Sequence, residues 1–203
     1  MRAFTLVEVM VALGLGSFVL TGVMTTFLMI GRVVENTGNY CDLDANARRG
    51  LETFGREVRI ASNVTAFSTT SVTLTIPDAN TANTYSVQYE CILDPNQTAY
   101  PGQYAFVRNG PPLTSPFSSP GVVAPSANTT LIHNVDLSTF KFNYYSYLPG
   151  DGYINGVQND NPANTTTGIR QIELILTAQR SSSTVVNATN AVLSARFILR
   201  NKP

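Results

Sequence analysis

Glu8 stands in the least ordinary place of any residue in this sequence. It comes immediately before residues 9–31, a stretch with no charged side chain, made mostly of Val, Leu, Met, Phe, Ala and Gly. A carboxylate at such a position costs roughly 2.5–3.5 kcal/mol on membrane-insertion scales, so a partner for its charge is the default expectation. Other residues able to do chemistry are few. Cys41 and Cys91 are the two cysteines, an even count that fits one disulfide in an oxidising compartment, or two buried free thiols. A bridge would tie the lower half of an N-terminal helix to an early strand, closing a loop of about 50 residues worth ~4 kcal/mol in the chain-entropy account. His133 is the single histidine. It lies in an apolar strand context and reads as structural, because a hydrolytic triad needs a base held by an acid beside a nucleophile. Asp151 and Asn155 have the opening of a calcium loop, but Tyr153 occupies a ligand position and Pro162 stands where the bidentate Glu belongs. A turn cluster is the commoner origin of such a stretch. There is no HExxH, CxxC, Walker loop or GxSxG. The expectation is a protein that is not an enzyme, with no cofactor and no metal.

The elements that hold these residues follow from periodicity. The run of residues 9–31 exceeds the ~20 residues a helix needs to cross a bilayer. It is too long for the apolar part of a secretory signal, and no A-x-A-like site follows it. Behind it, Leu43, Ala47, Leu51, Phe54, Val58 and Ala61 recur at intervals of three and four, one apolar stripe on an amphipathic helix. Glu52 and Arg56 lie beside the stripe and are spaced to pair. The helix is expected from about Thr5 to Ile60, loosened near Gly31 and at residues 36–39. Its first half must be buried in lipid or among other helices, its second half on the protein's own sheet. After Ala61 the period becomes two. Strands are expected at 71–76, around Tyr85, Val87, Tyr89 and Cys91, at 104–108, around 131–133, within 137–147, at 169–178 and at 192–200. Longer polar loops separate them at 94–102, 111–128 and 149–168. A helix followed by strands with hairpin-length and longer links is α+β, an antiparallel sheet against one long helix. Of 203 residues, 13 are basic and 13 acidic, so nothing in the balance points to nucleic acid. Charged residues make up 13% of the chain, about half the average of soluble proteins. Ser, Thr, Asn and Gln must wet the surface, as is common on exported proteins.

Phe4-Thr5-Leu6-Val7-Glu8 followed by the long apolar run resembles the N-terminus of type IV pilins and type II secretion pseudopilins. The resemblance implies a leader of residues 1–3 cut by a prepilin peptidase between Ala3 and Phe4, with Ala3 where the family normally has Gly. It implies N-methylation of Phe4, and pairing of Glu8 with the N-terminal amine of a neighbouring subunit during filament assembly. The implied organisation is a leader at 1–3, a membrane and filament-core half-helix at 4–31, an amphipathic half at 32–62 and a β-rich pilin domain at 63–203. The layout of the stripe, the Tyr-rich hairpin and the last two strands is similar, more loosely, to the minor pilins called PilW and the J-type minor pseudopilin. That implies a tip-associated subunit of a pilus or pseudopilus, inserted in the inner membrane and partnered by other pilin-like subunits and the assembly platform. Its globular part would be extracytoplasmic, and later part of a periplasmic or extracellular filament. The other class of function the residues allow is a membrane-anchored binding or adhesion domain that uses its polar loops, or, within the same family, the major filament subunit.

Overall fold

Thr5 starts the helix. Its backbone is extended, at φ −80° and ψ 151°, and its hydroxyl accepts from the Glu8 N–H at 3.3 Å. The Glu8 carboxylate accepts in return from the Thr5 N–H at 2.9 Å. This reciprocal capping box satisfies two of the N–H groups that a helix start leaves over. The computed structural model describes residues 5–77, 83–113, 117–119, 122–146, 161–162, 166, 168–180 and 189–200.

From Thr5, α1 (Leu6–Ile60) runs for 55 residues, about 80 Å at 1.5 Å per residue. The loosening expected at Gly31 and residues 36–39 does not occur, and the helix is continuous there. No proline interrupts it, and isolated Gly residues cost only about 1 kcal/mol each against Ala. The Thr37 hydroxyl donates to the Val33 carbonyl at 2.9 Å and adds to the local bonding.

Eleven strands are described: β1 (Asn63–Phe67), β2 (Ser71–Pro77), β3 (Thr84–Leu93), β4 (Tyr104–Gly110), β5 (Phe117–Ser119), β6 (Val122–Val123), β7 (Ala127–Val135), β8 (Lys141–Ser146), β9 (Asn161–Pro162), β10 (Ile169–Arg180) and β11 (Thr189–Ile198). All pairings are antiparallel. The main sheet runs β1-β2-β3-β4-β7-β10-β8-β9, with β11 paired to β10, while β5 and β6 form a separate ribbon. β10 pairs β11 over residues 171–180, β8 over residues 169–175 and β7 at Ala178. This is the α+β architecture that the two periodicities imply. Three details differ from expectation. β1 is an additional strand, the 111–128 segment contains the β5–β6 ribbon and the start of β7, and β9 lies within the 149–168 segment expected as a loop.

The stripe packs where its spacing says it must. Leu43, Ala47, Phe54, Val58 and Ala61 are buried against the sheet, with Leu51 partly so. α1 touches β2, β7, β10 and β11. Phe54 is the hub, with its ring centroid 4.9 Å from Tyr89, 5.5 Å from Phe197, 5.7 Å from Phe142 and 6.0 Å from Phe106. Alternation along β10 and β11 puts Ile172, Leu174 and Leu176 in the core and leaves Val192 and Ile198 outside. The surface ion pair on the helix joins Asp44 and Arg48 at 2.8 Å. Glu52 and Arg56, spaced to pair, make no ion pair among the described residues, which matters little for an exposed pair worth a few tenths of a kcal/mol.

Candidate functional site

The apolar half of α1 is the first candidate. Its large side chains face away from the protein, with Leu6 77% and Phe18 81% exposed. The helix is long and apolar enough to cross a membrane, and none of its apolar window is buried within the chain. Its hydroxyls are already satisfied by its own backbone. Ser17 donates to the Gly14 carbonyl, Thr21 to Ser17, Thr25 to Thr21 and Thr26 to Gly22, all at 2.8–3.0 Å. Side chains that bond back into their own helix leave no orphan donor facing lipid or a neighbouring helix.

Glu8 sits at the top of this half. Its Oε2 accepts from the Thr5 N–H at 2.9 Å and the Thr5 hydroxyl at 3.0 Å. Its Oε1 has no partner among the described residues. A carboxylate so held is an acceptor with free capacity toward a cation arriving from outside the chain. Ala3 and Phe4, expected to flank a cleavage site, lie outside the described residues, as do Asp151 and Asn155.

The disulfide expected between Cys41 and Cys91 is absent: both cysteines are free. Cys91 alternates into the core from β3. Cys41 is exposed on α1, two residues before Leu43, the first helix residue buried against the sheet. Burial pushes the Cys91 thiol up to about 12, because the uncharged form suits an apolar surrounding.

The sequence reading missed two polar clusters. In the core, Arg108 of β4 grips Glu57 of α1. Arg108 Nη2 donates to Glu57 Oε1 at 2.8 Å, and its Nε lies 3.2 and 3.1 Å from the two carboxylate oxygens. Arg108 Nη1 donates to the Pro111 carbonyl at 2.7 Å, and the Tyr89 hydroxyl donates to Glu57 Oε2 at 2.5 Å. The two charged side chains are 1% and 3% exposed. Burial, and then the Glu57 charge, push the Tyr89 phenol well above its ordinary range. A charged pair so enclosed acts as a clasp between helix and sheet. The signal was present in the phase of the pattern. Glu57 is three residues after Phe54 and four before Ala61, on the stripe itself, and Arg108 shares the strand face of Phe106.

At the opposite end of the helix–sheet contact, beside Leu43, a second cluster forms. Asp94 Oδ2 lies 2.5 Å from His133 Nδ1, and Asp94 Oδ1 accepts from the Asn96 N–H at 2.8 Å. The Tyr100 ring stacks on His133 at 4.4 Å and 17°. A β-bulge brings His133 there. Tyr104 pairs with Val135 and Phe106 with Ile132, so His133 and Asn134 together face the single Ala105. Asn134 carries the extra residue at φ 54°, a left-handed conformation that Asn tolerates better than most. Among the described residues, no Ser, Thr or Cys lines the cavity beside His133.

Residues 1–24 match the family model of the prokaryotic N-terminal methylation motif, the signal of type IV pilin-like precursors. Neither the curated proteins nor the solved structures contain a match to this chain. The motif supports a pilin-like or pseudopilin-like subunit, and it implies processing by prepilin peptidase and assembly with other pilin subunits. The fold of one long helix on an antiparallel sheet is consistent with it, as is the exposed apolar half-helix with a membrane-anchored precursor.

Proposed function

We propose that this protein is a minor, tip-associated subunit of a type IV pilus or secretion pseudopilus, of the PilW or J type. In this reading the chain is inserted through residues 4–31, cut between Ala3 and Phe4, methylated at Phe4, and drawn into the filament by its helix. Residues 32–62 form the amphipathic half of that helix, and residues 63–203 stand outside the membrane. The observation that carries the proposal is the methylation motif placed on a helix whose apolar first half is exposed and packs on none of the described residues. Glu8 is the assembly residue. Its carboxylate, held at the helix start by Thr5 with its other oxygen unpartnered among the described residues, neutralises the N-terminal ammonium of a neighbour. In the low dielectric of a helix bundle that pairing sets axial register, which non-directional apolar packing does poorly.

The first test is mass spectrometry of the protein from its native cell. A chain beginning at N-methylated Phe4 is the expected result, and an intact Met1 in cells with active prepilin peptidase overturns the reading. The second is Glu8→Ala. Incorporation into filaments is expected to collapse, with membrane insertion and the melting of the β-domain unchanged. A membrane-anchored binding domain would be indifferent to this substitution.

A further inference from the structure

We propose that the cavity under the 94–103 loop is a binding site for a neutral saccharide unit. The cavity, of about 200 Å³, lies where α1 first meets the sheet. Four carboxamides line it, those of Asn46, Gln103, Asn134 and Gln179. None of the four makes a side-chain hydrogen bond to another described residue, and Gln103 Oε1 is buried with no partner among the described residues. A carboxamide offers a donor pair and an acceptor together. That pairing matches adjacent sugar hydroxyls, each of which is also both.

Charge narrows the class. The one carboxylate bonded to the cluster, Asp94, has a side chain 0% exposed, and both its oxygens are taken by His133 and the Asn96 N–H. It is thereby committed to holding the histidine in place. Among the described residues no Lys, Arg, Asp or Glu lines this cavity, and its His133 is already bonded to Asp94, so the lining favours a neutral polyhydroxylated ligand over a phosphate or other ionic one. Leu43 and Ile132 supply the apolar patch that the C–H face of a sugar ring needs.

The site is built before any ligand arrives. The Asp94 N–H donates to the Gln103 carbonyl at 2.8 Å, and the Gly102 N–H to Gln97 Oε1 at 2.8 Å. The Tyr100 N–H donates to the Asn96 carbonyl at 2.9 Å. The loop is closed on itself, and the bulge at His133 and Asn134 holds the opposite wall. Such preorganisation removes the ordering cost that weakens binding to mobile loops. At 200 Å³ the cavity is below the roughly 300–1,000 Å³ of drug-sized sites, which suits one ring. An adjoining cavity of about 360 Å³ shares Gln103, Asn134 and Gln179, adds Asp136, whose Oδ1 is held by Ser138, and offers room for a second. The inference stands on this cavity and is independent of the assembly reading.

The test uses the full chain in lauryldimethylamine oxide, a detergent without a sugar headgroup. Glucose, galactose, N-acetylglucosamine, maltose and chitobiose are offered in turn at millimolar concentration, with saturation-transfer NMR as the readout. At least one is expected to receive saturation, and Gln103→Leu is expected to weaken it at least tenfold with the melting temperature held or raised. Should Gln103→Leu not fold, Gln179→Leu is judged by the same tenfold criterion. A disaccharide bound tighter than its monosaccharide indicates a glycan chain as the source, and equal binding a single free or terminal unit. Either supports the site. Transfer to none of the five sugars overturns it, as does binding that survives the substitution unchanged.

Discussion

Arg108 and Glu57 make the same point twice, once when one is removed and once when both are. Arg108→Met alone leaves the Glu57 carboxylate buried with only the Tyr89 hydroxyl, and loss of one partner of a buried pair costs about 3–5 kcal/mol. Glu57→Leu combined with Arg108→Met removes the uncompensated charge and is expected to recover most of that loss. Urea unfolding of the two variants in detergent, followed by tyrosine fluorescence, measures the difference. A double variant no more stable than Arg108→Met would mean the clasp does more than neutralise itself. Cys91 gives a pH prediction. Its thiol is neutral up to about 12 in the fold, against an ordinary value of 9.0. A folded value above the unfolded one contributes stability that is whole below about pH 9 and lost as the pH rises toward 12. Between pH 8 and pH 10 the melting temperature should therefore fall more for the native chain than for Cys91→Ala. Iodoacetamide at pH 8 should label exposed Cys41 and leave buried Cys91 until the chain unfolds. Neither cluster was legible in the sequence as a pair. Glu57 and Arg108 are 51 positions apart and Asp94 and His133 are 39, and a lone charge on an apolar stripe reads by base rate as a surface residue.

Between element and element, α1 comes into tight contact with β11 at Gly55. A Cβ at Gly55 would come under 3 Å from three ring carbons of Phe197 on β11. Gly55→Val is therefore expected to destabilise by about 1–3 kcal/mol through overpacking. The same experiment has an internal contrast in Gly14, where an added Cβ meets nothing within 4 Å. Gly14→Ala should leave the melting of the domain where it was, or raise helix stability slightly, since Ala is the better helix former by about 1 kcal/mol. Thermal melts of both variants in one detergent decide it, and equal shifts would mean that Phe197 yields freely. The helix stripe and the alternation in β2, β3, β10 and β11 were legible because each is a local period that burial enforces. The bulge at His133 and Asn134 was not. Its signature is one residue inserted into an alternation, and it becomes visible only opposite the single Ala105 of the paired strand.

In the whole molecule the two halves of one helix have separate fates. The exposed apolar half and the clasped amphipathic half share no packed core, so changes in one should add independently to changes in the other. Phe18→Lys places a charge in the membrane half at a cost of about 2.5–3.5 kcal/mol. It is expected to deplete the chain from assembled filaments while the melting of the β-domain stays within error, as measured on the detergent-solubilised protein. A shift of the domain melt with Phe18→Lys would show that the stalk and the domain are coupled. Sequence alone determined the long helix, its division into a half apolar all round and a half with one stripe, the α+β class and the place of Glu8. Each of these rests on spacing between near neighbours, which a helix or strand converts directly into a face. The tertiary structure alone decided that Glu57 meets Arg108, that Cys41 and Cys91 do not bond, and that four carboxamides from distant segments share one cavity. Those outcomes depend on which strand lies beside which, and hydrophobic periodicity is silent on that because every apolar face can be buried by more than one partner.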